Sequence, residues 1–351
     1  VRPSSAELAL NAACTWIGPL RHRRLMERFG SAEAVLRAGA ERLCLGLEGL
    51  KPAQARALLD FCAAFDARAE SAALARPGVR ILGLGSPDYP GPLLASPSPP
   101  PFLFVEGELP PEGAPAVAIV GTRQPTDYGR RMARLLSAGL ARAGVWVVSG
   151  LARGIDVEAH LACLDAGGRT VAVLGSGLDR VWPREHKPLA RRIKEGQGAL
   201  VSQFSMAAPP LKQHFPMRNG VVSGLSLGVV VVEGARDSGS MITANQALEQ
   251  GREVFAVPGP ADAPMSQGPL ALIDQGARLV RDSRDILREL GLESKRVRTR
   301  GPASEAAPAR DFQDGSPAQR LSAYLFASGG SKSLDEAGGA CGLAAGALAA
   351  A

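Results

Sequence analysis

From Val117 onward the chain repeats a pattern that few folds satisfy: short apolar runs of four to six residues, alternating with longer amphipathic stretches. The runs fall at Val117–Val120, Val145–Val148, Thr170–Leu174, Ala199–Ser202, Gly228–Val232, Glu253–Val257 and Ala277–Val280. Between them, segments such as Tyr128–Ala143 and Met241–Gln250 carry apolar residues at helical spacing. A strand that is apolar throughout has to be covered on both faces, the condition met in parallel sheets flanked by helices. Right-handed crossovers between such strands give an α/β, Rossmann-like, doubly wound and mostly parallel sheet.

The flanks read differently. Residues 1–72 form short helices, with Leu8, Ala12, Leu20, Leu25, Met26 and Phe29 at roughly helical intervals. Ser31 caps a short helix into Leu36, and Pro52 opens another that runs to about Phe65. The pattern resembles a small SAM-like or helix-hairpin-helix domain, which serves either DNA phosphates or plain helical packing. Residues 73–290 form the extended Rossmann-like domain, entered through the Pro-rich run Ser96–Pro101. Ile81-Leu82 and Phe102–Val105 flank that run as extended pieces that add strands or lead into the sheet. Residues 291–317, rich in Pro, Ala and charge, read as a flexible linker. The helical patterns in 318–351 suggest a partial winged-helix-like domain.

Hydrophobic residues at 46% allow a large core, and 40 Lys+Arg against 34 Asp+Glu permit a polyanionic partner without requiring one. Cys14, Cys44, Cys62, Cys163 and Cys341 are too scattered for a disulfide framework or a zinc site, and the four histidines show no metal-ligand spacing. They read as reduced core cysteines of a cytoplasmic protein. Val1–Leu10 does not read as a signal peptide, and the longest apolar stretch, Leu225–Val232, suits a buried strand rather than a membrane span. No metal or cofactor is expected.

In a doubly wound sheet ligands gather at the carboxyl ends of the strands, so the residues that follow each run carry the functional signal. These are Gly121-Thr122-Arg123, Ser149-Gly150-Leu151-Ala152-Arg153-Gly154, Gly175-Ser176-Gly177, and Glu233-Gly234-Ala235-Arg236-Asp237-Ser238-Gly239-Ser240, with a helix opening at Thr243. Glycines admit an anion close to backbone N–H groups, helix N-termini favour negative charge, and Arg123 and Arg153 add forked donors. Taken together they read as a row of phosphate sites. In Lys212-Gln213-His214-Phe215-Pro216-Met217-Arg218-Asn219, two cations bracket a Phe that Pro216 would hold in an extended loop. Phe215 there is either a stacking platform for a base or a core anchor.

Enzyme motifs are missing. The sequence has no GxxxxGK[ST], Gly121-Thr122-Arg123 is not GxGxxG, and Ser149 has no GxSxG context. Asp156 reads as an early-helix acid interacting with free N–H groups, and His160 as a packed or solvated side chain rather than a base.

The strand-end motifs resemble, in order, those of the DNA-processing protein A (DprA/Smf) family. To them are added Gly224-Leu225-Ser226, Ile242-Thr243-Ala244 and Ala247-Leu248-Glu249-Gln250-Gly251-Arg252-Glu253-Val254-Phe255-Ala256-Val257-Pro258-Gly259, over about residues 80–290. The resemblance implies a bacterial cytoplasmic homodimer of natural transformation that binds single-stranded DNA and helps load RecA. It also implies phosphate and base contacts at Arg123, Lys212, Phe215, Arg218 and Asn219. One departure stands out: Gly220 follows Arg218-Asn219 where the family commonly has Arg, which would shift charge to Arg153 or Arg236. The resulting expectation is non-catalytic binding of single strands without strong sequence preference. DNA contacts are expected from Gly121, Thr122, Arg123, Gly150, Arg153, Lys212, Phe215, Arg218, Asn219, Ser238, Gly239, Ser240 and Thr243. The rival expectation is a phosphoribohydrolase of the lysine-decarboxylase-like Rossmann group. That group typically shows a PGGxGT-type loop with a following catalytic Glu, and Glu233–Ser240 lacks the pattern.

Overall fold

A computed structural model of the chain describes residues 3–196 and 198–293. The expected linker from about residue 294 and the winged-helix-like segment lie outside the described residues, as does Cys341.

Six helices come first: α1 (Ser5–Ile17), α2 (Pro19–Phe29), α3 (Ala32–Arg37), α4 (Gly39–Gly46), α5 (Pro52–Ala64) and α6 (Ala67–Leu74). Ser4 and Glu7 form a capping box on α1, and the Ser31 hydroxyl accepts from Ala34 N–H at the start of α3. These helices bury a core of their own around Leu10, Ala13, Leu25, Val35, Leu43 and Leu58.

The remainder is built on β1 (Val79–Gly83), α7 (Gly91–Leu94), β2 (Phe102–Gly107), β3 (Ala116–Val120), α8 (Asp127–Arg142), β4 (Trp146–Ser149), α9 (Ile155–Asp165), β5 (Thr170–Val173), α10 (Lys187–Lys194), β6 (Gly198–Ser202), α11 (His214–Gly224), β7 (Gly228–Val231), α12 (Gly239–Glu249), β8 (Glu253–Ala256), α13 (Gln267–Asp274), β9 (Arg278–Leu279) and α14 (Ser283–Glu289). Among the described residues nine strands form one sheet in the order β1-β2-β6-β5-β4-β3-β7-β8-β9. From β6 to β9 all pairings are parallel, and the β1–β2 hairpin adds two antiparallel strands beyond β6. Each expected run is a strand, and Ile81-Leu82 and Phe102–Val105 are the hairpin.

Alternate residues of each central strand explain why the runs are apolar throughout. Val117, Ile119, Val147, Ala172, Leu200 and Val230 meet α8, α9, α10 and α14 on one face. Ala118, Val120, Val148, Val171, Val201 and Val229 meet α7, α11, α12 and α13 on the other. Two boundaries differ from expectation. Helix α11 continues through Gly224, so Leu225 closes a helix and the strand begins only at Gly228. The last run pairs through Arg278 and Leu279 alone, both exposed at the sheet margin.

Strand order reverses at β3, whose crossovers run through β4 to one side while β7 lies on the other. The crevice beyond β3 and β7 is therefore the switch point of the sheet. Gly154, entering α9, has φ 83°, and a Cβ there would crowd the backbone of Thr122 and Arg123. Gly154→Ala should cost about 2 kcal/mol or more of stability, read by urea unfolding. Gly239→Ala, at the start of α12 with open space around it, should change stability by less than about 0.5 kcal/mol.

A cationic and aromatic crevice at the switch point

The loop after β4 is held from both sides at Gly150. The Asp156 carboxylate accepts the N–H groups of Gly150 (3.1 Å) and Ala152 (3.2 Å). The Arg218 Nη1 donates to the carbonyls of Gly150 and Val173, the latter at 2.6 Å. Both charged side chains are buried, Asp156 at 6% and Arg218 at 4% exposure. Burial draws Arg218 down to about 10, so it remains a cation at neutral pH. Burial raises the Asp156 carboxyl, opposed by Arg218 and the two N–H groups. His160 lies in the same buried layer, its Nδ1 2.7 Å from the Thr170 hydroxyl, and burial depresses it to about 3.

At three strand ends the space left by a glycine is bordered by the protein's own side chains. A Cβ on Gly150 would overlap the Arg218 guanidinium, one on Gly175 would sit 2.7 Å from the Phe215 ring, and one on Gly121 2.6 Å from Ile155. At Gly121, Gly150 and Gly175 the missing Cβ leaves room for Ile155, Arg218 and Phe215, whereas Gly154 and Gly177 face backbone and Gly239 open space. Arg218 is likewise directed inward, and its Nη1 donates to backbone carbonyls rather than to a ligand. Thr243 (2% exposed) and Ser240 (5%) are also buried, the first donating to the Gly239 carbonyl and the second bonded to the Ser238 hydroxyl. Helix α12 opens at Gly239, not at Thr243.

Lys212-to-Asn219 is not an extended loop. Gln213 is the N-cap of α11, and His214, Phe215 and Pro216 form its first turn, where a proline lacks no helical hydrogen bond. His214 stacks on Phe204 with centroids 4.0 Å apart and anchors the turn. That leaves Phe215 half-buried at the crevice, with the Arg123 guanidinium over its ring at 5.4 Å. Arg123 and Lys212 are exposed and form no ion pair among the described residues. The Asn219 amide donates to the Gly239 carbonyl, bringing α11 and the α12 entrance together. A Cβ on Gly220 would sit 3.8 Å from the Gln246 side chain, on the side of α11 that meets α12. Arg153 is exposed but paired with Glu185 at 2.5 Å.

Glu233 was not among the expected site residues, yet it organises the crevice. Its buried carboxylate accepts from the Thr126 N–H (2.9 Å) and hydroxyl (2.5 Å), which seals the start of α8. Its carbonyl accepts from Thr122 N–H at 2.7 Å, tying the β3 and β7 ends together. An acid placed directly after an apolar strand was the available signal.

Fold and crevice define a Rossmann-like α/β protein with exposed cations and one aromatic ring at its switch point. Residues 80–291 match the family model described as DNA recombination-mediator protein A, and the chain belongs to that family. It is 50% identical to Protein Smf of Escherichia coli over 217 residues, 62% of this chain and 58% of that protein. The chain thus spans under two thirds of that relative. DNA processing protein DprA of Bacillus subtilis is 44% identical over 221 residues, 62% of this chain and 74% of the relative. The X-ray structure of DNA processing protein A from Streptococcus pneumoniae superposes with a TM-score of 0.69 at 31% identity, covering 82% of this chain and 99% of that one.

Removing Arg218 leaves Asp156 and two carbonyls buried without their cation. Arg218→Ala should lose about 3–5 kcal/mol in urea unfolding, and adding Asp156→Asn should restore part of it. For His160 the folded value of about 3 lies below the ordinary 6.5 of the unfolded chain, so the unfolded state takes up the proton first. Its contribution is whole above pH 6.5 and falls as pH drops toward 3. His160→Gln should flatten the acid limb of a Tm-against-pH profile, by up to about 1.4 kcal/mol per pH unit.

Proposed function

We propose that this chain binds single-stranded DNA at the switch-point crevice, with little sequence preference and without chemical turnover. The observation that carries the reading is the pairing of Arg123 with the half-exposed Phe215 ring, with Lys212 just ahead of the same helix turn. A cation on an exposed ring is worth about 0.5–1 kcal/mol, and a base stacked there about 1–3 kcal/mol. An arriving base therefore displaces Arg123 from the ring, and the freed guanidinium takes a flanking phosphate. Lys212 holds a second phosphate, and Asn219, Ser238 and Gly239 line the path beside them.

The family supports the reading. DNA processing protein A from Helicobacter pylori, a solved relative, is described as having a unique single-stranded DNA binding mode. Its structure matches with a TM-score of 0.53 at 27% identity, over 60% of this chain and 95% of that one. Relatives such as that of Bacillus subtilis are named DNA processing proteins, and the family is described as a recombination mediator. We extend the proposal accordingly to a cytoplasmic homodimer that receives incoming single strands in natural transformation and helps load RecA onto them. No helix among the described residues is long and apolar enough to cross a membrane.

Fluorescence anisotropy with labelled oligo-dT across a salt series tests the core of this. Wild type should bind with a log–log salt slope of about −0.7 per phosphate contacted. Arg123→Ala and Lys212→Ala should each weaken binding and flatten the slope by about 0.7. Phe215→Ala should weaken binding and leave the slope alone. Binding unchanged in all three variants would sink the assignment, and release of a base from a mononucleotide would favour the hydrolase instead.

A further inference from the structure

We propose that the surface segment Arg180–Lys187, which leads from β5 into the first residue of α10, is a second stacking and phosphate-holding site that continues the strand path beyond the crevice. The inference rests on the single-strand reading above and extends it to a longer footprint.

Trp182 is 43% exposed, whereas Trp146 is buried at 4%. A large ring left in water invites a partner, and its neighbours indicate which kind. Arg180, Arg184, Lys187 and Arg191 are all exposed and form no ion pair among the described residues. Nearby cations are treated differently: Arg192 pairs with Asp165 at 2.8 Å and Lys194 with Glu106 at 2.5 Å. An aromatic platform interleaved with unpaired cations is the surface that a sugar-phosphate strand with stackable bases fits.

The segment is held in place before any ligand arrives. Leu178 is buried, the Ser176 hydroxyl donates to the Arg180 carbonyl at 2.7 Å, and Asp179 N–H donates to the Met206 carbonyl at 2.9 Å. Asp179 also pairs with Arg76, in the turn between α6 and β1, at 2.5 Å.

Two contacts join the segment to the crevice. His186 Nδ1 donates to the Leu151 carbonyl at 2.9 Å, and Glu185 pairs with Arg153 at 2.5 Å. The same loop abuts Thr122 through the Ile155 N–H, 3.2 Å from the Thr122 carbonyl. This chain of contacts runs from Thr122, next to Arg123, through the loop bearing Arg153 to Glu185 and His186, and Glu185 is the acid on it. An exposed pair of this kind holds weakly, so a phosphate can replace Glu185 on Arg153.

The test compares labelled oligo-dT of about six and about twenty nucleotides, the first near the short end of typical single-strand footprints and the second beyond their long end. Trp182→Ala and Arg184→Ala should weaken the longer strand about tenfold and leave the shorter at wild-type affinity, while Trp182→Phe retains binding. Glu185→Gln should strengthen the longer strand by freeing Arg153. Tryptophan emission should be quenched by the longer strand, and Trp182→Phe should lose that signal. If Trp182→Ala binds both lengths as wild type does while Arg123→Ala weakens both, the extension is overturned and Trp182 belongs to a protein contact. Equal weakening at both lengths also overturns it, because the segment would then merely support the crevice. Wild type that binds neither length overturns the underlying reading itself.

Discussion

Gly150 gives its N–H to Asp156 and its carbonyl to Arg218, so one residue of the β4 loop is gripped by two buried charges of opposite sign. Neither charge would be stable alone in such surroundings, and each is tolerated because backbone dipoles of the loop complete its solvation. Arg218 reaches across to Val173 as well, which locks the ends of β4 and β5 to the middle of α11. The helix that carries Arg218 inward carries Phe215 less than a turn earlier, and Gly175 is the surface its ring rests on. The aromatic platform, the loop bearing Arg153 and the two strand ends are therefore set by one hydrogen-bonded assembly.

That assembly divides the cations of the site into two kinds. Arg218 is committed to architecture, yet it is close enough to Arg123 that the latter's charge contributes to lowering its pKa. The buried charge consequently adds to the positive potential of the crevice without touching a ligand. Arg123 and Lys212 stand in water and can exchange partners freely. A crevice built this way keeps its shape when the exposed cations move.

Much of this was legible beforehand, because a parallel sheet writes itself into sequence as two-sided apolar runs. Seven of those runs are strands, and the order of glycine turns and helices pointed to the doubly wound class. The glycines are less legible. A missing Cβ records that something approaches closely, and the sequence does not say whether it is phosphate or the protein's own Arg218 and Phe215. Pro216 misled for a related reason: a proline breaks a helix interior but suits a first turn, and only the N-cap at Gln213 tells the two apart. Glu233 is not legible, because a single acid after a strand reads as surface until Thr126, more than a hundred positions earlier, is seen to complete it.

Glu233 also bears on what kind of polyanion the crevice suits. In a doubly wound sheet that holds a free nucleotide, the phosphate rests at the helix N-terminus beside the switch point. Here that position, the start of α8, is occupied by the protein's own carboxylate, hydrogen-bonded to Thr126. A phosphate driven into the same place would meet like charge in a buried setting, where the repulsion is poorly screened. Exposed cations without an ion pair among the described residues stand outside it, Arg123 and Lys212 at the crevice and Arg184 and Lys187 at the start of α10. A small nucleotide gains little from separated surface cations, since it presents its charge in one cluster. A chain of evenly spaced phosphates gains from each of them in turn, and this geometry favours a strand laid across the sheet edge over a ligand inserted between β3 and β7.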